Sequence, residues 1–583
     1  MKKSQMILNV KFFSSVALMA ASVNSFGSEP NEKIAKPNIV WLITEDISPY
    51  LSFYGDSTAK TPNLDKLAQE SMVFTNCFST SGVCAPSRST LITGMYPISV
   101  GTQHMRTAFD AMGWGKRTYN LINGKKSIDL ASQSVREYST VIPYYVKCFT
   151  EYLRADGYYC TNNVKTDYNF ASPVTAWDEN NDTASWETCP KGKPFFSVFS
   201  DFITHESQIW TRRNHPMTVN PDDVRVPPYF PDDSIVRTDI ARHYSNIEVL
   251  DEHIGKKIQA LKDKGLYDNS IIFFFADNGG PFPRGKRETL ETGLHIPFMV
   301  RFPHGAHAGY IDDLVSFVDF APTVLSLAGI KPPEHLQGQA FLGEYKQSQP
   351  RQHIYGAGDR FDEYTDRIRA VRDKQYLFVR NYYPQLPPYK DITYRKNMST
   401  MKDLLVLRDA GKLTGATAAW FQPHKSGAEE LYDCITDPFN LNNLIEEPKY
   451  DAKAQGLREA LNQWIVEVGD MGNIPEATMV EQMWPGNTQP QTSQPEFSIS
   501  DEGISLRCST KGASIAYILS DTIMQPDLNS GWQLYFKPLE IEKTKYLYTM
   551  SNRIGYADSK AIEINLLKKN GRIKIESYTK AKE

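Results

Sequence analysis

The chain has 583 residues, 41% of them hydrophobic, which is too long for one ordinary core and enough for two or three. Its formal charge of -4 leaves no basic surplus for wrapping a nucleic acid, so anions must be bound by local clusters. Seven cysteines (Cys77, Cys84, Cys148, Cys160, Cys189, Cys434 and Cys508) form no Cys-x-x-Cys pair and have no histidine spacing suited to zinc, and their odd number leaves at least one thiol unpaired.

Lys2 and Lys3 precede the apolar run Phe12 to Ala21, which is too short to span a bilayer and ends among small residues. Residues 1–28 therefore read as a cleaved secretory signal, with no cysteine near its end for a lipid anchor and no later transmembrane run. The expectation is an exported soluble protein, periplasmic or secreted, without a membrane anchor. Asn38 to Thr44 (NIVWLIT) is a short apolar run that stops at Glu45-Asp46. Thr61 and Pro62 open a helix with Leu64, Leu67 and Ala68 on one face. In the stretch Gly82 to Pro97 (GVCAPSRSTLITGMYP), Cys84 starts a helix, with Pro86 in its first turn and Arg88 one turn inside. A helix N-terminus favours anions, so Cys84 faces a place prepared for negative charge. An isolated cysteine is ordinarily a buried structural thiol; the surrounding pentapeptide reverses that reading. Phe195 to Phe202 is a second apolar run, followed by Thr204-His205-Glu206. Ile240, Tyr244, Ile247, Leu250, Ile254, Ile258 and Leu261 recur at helical steps until Gly265, a core stripe that returns the chain across a sheet. Ile271 to Ala276 is the third apolar run, and it stops at Asp277-Asn278-Gly279-Gly280.

Continuous apolar runs suit strands buried on both faces, and alternation with helices implies an α/β fold with a mainly parallel central sheet flanked by helices. Ligands in such sheets sit beyond the carboxyl ends of the strands, so the three polar clusters predict one site. Glu45, Asp46, Asp277 and Asn278 form an all-oxygen set that suits Ca2+ or Mg2+ better than zinc. Taken singly each is a turn or cap residue; jointly they are a metal-ligand set.

Cys84-Ala85-Pro86-Ser87-Arg88 followed by Ser-x-Leu-x-Thr-Gly resembles the signature of formylglycine-dependent sulfatases, members of the alkaline phosphatase superfamily. The resemblance implies that a maturation enzyme oxidises Cys84 to formylglycine (3-oxoalanine), whose hydrate is the nucleophile and sits among the metal ligands. Asp46, Asp277 and Asn278 match the family's metal pattern, with calcium ahead of magnesium, whereas Glu45 stands where the family usually has Asp. Arg88 is expected to hold the aldehyde hydrate and a sulfate oxygen. Lys165, within residues 162–169, occupies the place of the family's Gly-Lys-Trp-His, and Asp167 stands where that motif has histidine, so one basic group is missing. Lys286, in Gly285 to Gly293, resembles the family's Gly-Lys-Gly-Thr stretch. It contacts sulfate there and can protonate the departing alcohol only if positive neighbours or burial lower its pKa, with Arg284 and Arg287 as alternatives. His205 is the better acid on intrinsic grounds. His104, in Gly101 to Arg106, resembles a segment of bacterial polysaccharide-active sulfatases; a substrate-contacting role and a loop-surface histidine are both open.

Asp319 to Leu325 resembles the helix that closes the family's catalytic part, assigned to 36–348, and 349–478 resembles its small C-terminal subdomain, an antiparallel sheet with a helix at Ala452 to Val468. Arg360, Tyr382, Tyr383 and Arg395 there are candidates to stack on or hold a sulfated sugar. Residues 479–495, rich in Pro, Gln, Thr and Ser, read as a linker, and 496–583 as an accessory β-sandwich, with sugar binding and scaffolding both open. The resulting expectation is a sulfuric ester hydrolase acting on a sulfated polysaccharide or its oligosaccharides, of ulvan or carrageenan type. Alternatives are a phosphate or phosphonate ester hydrolase of the same superfamily, or a carbohydrate-binding protein without turnover. The expected partners are the saccharide and the maturation enzyme; the oligomeric state is left open.

Overall fold

Seven of the eight strands of the central sheet run the same way, and the order in which they pair decides where the three polar clusters meet. The strands are β1 (Asn38–Thr44), β2 (Ser71–Phe78), β3 (Tyr159–Asn163), β4 (Glu179–Asn180), β5 (Phe195–Asp201), β6 (Ser270–Ala276), β7 (His295–Arg301) and β8 (Gly309–Ser316), in spatial order β8-β2-β7-β6-β1-β5-β3-β4. Only β7 is antiparallel to its neighbours β2 and β6. The computed structural model describes residues 36–108, 112, 119, 127–129, 131–541, 544–569 and 572–579, so the secretory-signal reading of 1–28 lies outside the described residues. Residues from Pro37 onward form one compact unit. The mainly parallel α/β architecture expected from the apolar runs is the one observed.

β1 is buried at every residue, as its unbroken apolar sequence requires of a strand covered on both faces. Trp41 anchors the layer edge-on against Phe196 at 5.1 Å and Phe275 at 5.3 Å. Helix α1 (Pro62–Gln69) buries Leu64, Leu67 and Ala68. Thr61 stands before it without capping it: Asp251 accepts the free N–H groups of Asn63 and Leu64 instead, at 3.2 and 2.7 Å. Helix α2 (Cys84–Thr93) is buried at all ten residues. Helix α3 (Ser234–Asp263), capped by the Asp233 carboxylate, carries the expected stripe and ends before Gly265 in a left-handed turn.

The strands Ile354–Gly358, Ile368–Arg372, Tyr376–Asn381 and Glu429–Asp433 form an antiparallel sheet. Helix Asp451–Val468 lays Leu457, Leu461 and Trp464 on Val371, Phe378 and Leu431. The stretch read as a linker differs from that reading. It begins inside helix Glu476–Met483, whose Met479 and Val480 are buried with Trp484 against Val135 and Tyr138. The composition described its polarity, but these three apolar residues find a partner surface. Residues 496–579 form a two-stranded and a five-stranded antiparallel sheet that share Ile504, Leu506, Ile515, Leu547 and Ile564 in one core. Lys147 donates to Gly512 O (2.6 Å) and Arg154 to Trp532 O (2.7 Å), fastening this part to the first. All seven cysteines are free, so the other six thiols are unpaired as well as the one the odd count requires. Among the described residues no helix is long and apolar enough to cross a membrane.

Candidate active site

The register of β1 brings the first and third clusters together, because Thr44 pairs with Ala276 on one side and with Asp201 on the other. Glu45-Asp46 and Asp277-Asn278 therefore leave adjacent parallel strands at the same edge, and Thr204 joins them through a 2.6 Å contact between its hydroxyl and that of Thr44. Asp46 adopts a left-handed backbone (φ 51°), uncommon for a residue with a side chain. Asn278 Nδ2 donates to Asp46 Oδ1 (2.9 Å), and Glu206 N and Lys286 Nζ donate to Asp46 Oδ2 (2.7 and 2.6 Å). Cys84, at the first turn of α2, points its thiol at Asn278 Oδ1 (3.3 Å). Burial and the nearby Asp277 push that thiol well above its ordinary pKa, so it is not a thiolate nucleophile as it stands.

The predicted cations surround this point. Arg88 Nε bonds Asp277 Oδ2 at 2.8 Å, and Arg88 Nη1 donates to Ser200 Oγ at 3.2 Å. Lys165 Nζ lies 2.9 Å from Glu45 Oε2 and 3.6 Å from Asp277. Lys286 is 2.6 Å from Asp46 and 3.3 Å from Glu206. Burial would lower Lys286, but Asp46 and Glu206 outweigh it and hold the ammonium charged, the reverse of what a proton donor tuned by positive neighbours needs. His205 shows the opposite balance: burial, then Lys286, pulls its imidazole well below the ordinary value. Ser207 N–H donates to its Nδ1 (3.3 Å), which places the ring proton on Nε2, 3.8 Å from Glu45.

His104 lies apart from these groups. Its Nδ1 accepts from Arg360 N (3.4 Å) and sits 3.7 Å from Glu476, while its carbonyl takes a bond from Asn169. Two of the four candidate sugar contacts also turn inward. Arg360 is fully buried on Glu476 (2.5 and 2.7 Å), and Arg395 is fully buried with its Nη2 on Lys286 O (2.7 Å), supporting the loop from behind. Tyr382 carries the Arg367 guanidinium over its ring (3.9 Å). Sequence reasoning missed Glu206, which ties Lys286 to Arg287, and Arg106, which pairs with Asp167 at 2.9 Å. The signal for Arg106 was an acid standing where a base was expected.

A cation fits this donor set. Both oxygens of Glu45 and Oδ1 of Asp277 are buried with no hydrogen bond, a costly state that a metal would relieve. Burial, partly offset by Lys165, raises the Glu45 carboxyl to about 7. Ligand atoms of Asp46, Cys84 and Asp277 converge within 4.8 Å, as do those of Glu45, Cys84 and His205. Carboxylate and amide oxygens suit a hard ion; a thiol does not, whereas an oxidised Cys84 would offer oxygen.

The sulfatase family profile matches residues 37–330, and the profile of the N-sulphoglucosamine sulphohydrolase C-terminal region matches 284–409. An ulvan-active sulfatase of Formosa agariphila is 41% identical over 567 residues, 91% of either chain. The solved complex of a protein with its substrate D-glucosamine-2-N,6-O-disulfate superposes with a TM-score of 0.51 at 17% identity, over 76% of this chain and 99% of the other. The phosphonate monoester hydrolase of Agrobacterium radiobacter gives 0.52 at 16% identity, over 81% and 100%. At these identities the two structures speak for the fold alone.

Proposed function

The chain belongs to the sulfatase family and is a hydrolase of sulfuric esters; on that premise we propose that it removes sulfate from an algal sulfated polysaccharide, of ulvan or carrageenan type, or from its oligosaccharides. One observation carries the reading: Cys84, four hard oxygen donors and the cations Arg88, Lys165 and Lys286 meet in a single buried cluster. The saccharide class is supported by the ulvan-active relative. We further propose that Cys84 is oxidised by a maturation enzyme to formylglycine, which supplies a hydrated aldehyde with two hydroxyls on one carbon, one to attack and one to expel. Glu45, Asp46, Asp277 and Asn278 would hold Ca2+, which supplies Lewis acidity toward a sulfate oxygen. The chain's own groups do the rest. Arg88, fixed by Asp277, and Lys165, fixed by Glu45, present positive charge where the sulfuryl oxygens gather negative charge, already oriented before the substrate arrives. Lys286 is held charged on the same oxygens, and the neutral His205 offers its Nε2 proton as a hydrogen bond toward the departing oxygen. Lys2, Lys3 and the apolar run that follows support export.

A second reading, phosphate or phosphonate ester hydrolysis, draws on the same cations, which also suit phosphoryl oxygens. Steady-state rates on an aryl sulfate and the matching aryl phosphate decide between them. Sulfate is expected to be preferred, with Cys84→Ser lowering kcat/KM by about three orders of magnitude while the fold is kept. Intact-mass analysis after expression with the maturation enzyme should show CH2SH replaced by CHO at position 84. Preference for phosphate, or full activity with an unmodified thiol, would refute the reading.

A further inference from the structure

The loop Thr102 to Thr107 carries a cation that the sulfate site does not use. Its backbone is fixed on both sides: Met105 N bonds Arg360 O (2.7 Å) and its side chain packs with Cys84, while Thr107 N bonds Asn169 Oδ1 (3.1 Å). Between them Arg106 takes a left-handed backbone (φ 53°). Its Nη2 and Nε grip the two oxygens of Asp167 at 2.9 and 3.3 Å. Asp167 is itself buried and lies 3.7 Å from Lys165. One carboxylate thus stands between an enclosed lysine of the sulfate site and an arginine that is 34% exposed, against 3% or less for Arg88, Lys165 and Lys286. On the His205 side of the cluster, Tyr394 is 41% exposed, braced edge-on by Trp210 at 5.3 Å, with the His205 ring 6.4 Å away. His205 Nε2 lies 3.8 Å and Lys165 Nζ 2.9 Å from the same Glu45 carboxylate oxygen, so Tyr394 and Arg106 adjoin one buried cluster, the first through His205 and the second through Asp167.

Resting on the saccharide reading above, we propose that Arg106, held by Asp167, is a specificity-determining residue that binds a second anionic group of the sugar substrate while the sugar ring lies against Tyr394. The scissile sulfate has its own, more deeply buried cations, and Asp167 stands between Arg106 and Lys165. The fork has five N–H donors and spends two on Asp167. Its planar edge matches a carboxylate or a sulfate, and an aromatic face beside it suits a pyranose. The second anion is therefore a uronate carboxylate or another sulfate ester, and the probes separate the two.

Three disaccharides carrying the same removable sulfate test this: one with a uronate carboxylate, its carboxyl-reduced counterpart, and one with a second sulfate in place of the carboxylate. The mature enzyme should favour one of the two substrates with a second anionic group over the carboxyl-reduced one by about 10- to 100-fold in kcat/KM. Arg106→Gln should bring that ratio close to one, and Arg106→Lys should leave it intermediate. Loss of Arg106 also frees Asp167 toward Lys165 and will slow all substrates alike, but a purely structural role would leave the ratio untouched. A ratio that survives in Arg106→Gln, or its absence in the unaltered enzyme, overturns the inference and leaves saccharide hydrolysis standing. Turnover of an aryl sulfate with none of the three disaccharides overturns both.

Discussion

Glu45 is the residue at which this chain departs from the family's usual aspartate, and its surroundings explain why the departure is tolerated. Its two oxygens lack hydrogen bonds, yet Lys165 approaches at 2.9 Å and Arg88 at 3.7 Å, so the carboxylate is directed at the cluster around Cys84 instead of at a backbone N–H. Asp277 keeps one oxygen on Arg88 and leaves the other unpaired. Three buried oxygens on two side chains without a hydrogen bond, two of them facing only the Lys165 and Arg88 charges, make the metal-free state expensive, which gives a measurable consequence. Titrating Ca2+ into chelator-treated protein should raise Tm, by about 2.7 kcal/mol of added stability at a hundredfold excess over Kd. Asp277→Asn should lose most of that gain. A scan in which both proteins respond equally, or neither does, would remove the metal from this cluster, and the readout needs no turnover.

At the scale of elements, the site is a junction between two loops, and glycines permit their contact. Lys286 N donates to Gly280 O at 2.7 Å within its own loop, and Arg287 N donates to Gly82 O at 2.6 Å, which fastens that loop to the turn before α2. A Cβ on Gly82 would stand 2.1 Å from Glu288 O, a backbone atom that cannot swing aside. Gly82→Ala is expected to push the Lys286 loop away from Cys84. A shift of about 1 Å costs on the order of a hundredfold in rate, against an overpacking loss of about 1–3 kcal/mol. Kinetics beside urea denaturation would show it, and a variant that loses stability while keeping its rate would break the link between loop contact and chemistry. These elements were readable because their signals are local: an apolar run ends at acids, a cysteine precedes proline, a stripe stops at glycine. The supporting pairs were not readable. Arg106 and Asp167 are 61 positions apart, Arg360 and Glu476 are 116 apart, and no periodicity records which distant charges will share a buried space. Met479, Val480 and Trp484 escaped for a related reason, since a short apolar group in polar sequence gains its meaning only from the surface that receives it.

At the scale of the whole molecule, the same buried pairs hold the sheet Ile354–Gly358 to Glu429–Asp433 to the segment that follows its helix and, through that segment, to the first part of the chain. Glu476 receives Arg360 through both oxygens and the Tyr138 hydroxyl at 3.0 Å. Asp470 receives Arg369 and Arg367 at 2.7 and 3.0 Å and caps Gly472 N at 2.8 Å. Burial would raise both carboxyls, but the arginines outweigh it and hold each at about 2. Both folded values therefore lie below the unfolded ones of about 4. The sign follows: each carboxylate contributes its stability in full above the unfolded value, and that contribution is lost as pH falls through the folded one. Denaturation midpoints should hold above pH 5 and decline between about pH 4.5 and 2. Glu476→Gln leaves Arg360 buried without its counter-ion, so it should be destabilised by about 3–5 kcal/mol at neutral pH. Its own midpoint should change less over the acid window, because the group that takes up the proton is gone. A variant that tracks the unaltered protein in parallel from neutral to acid would place the acid sensitivity elsewhere and deny this pair its part in joining the two halves.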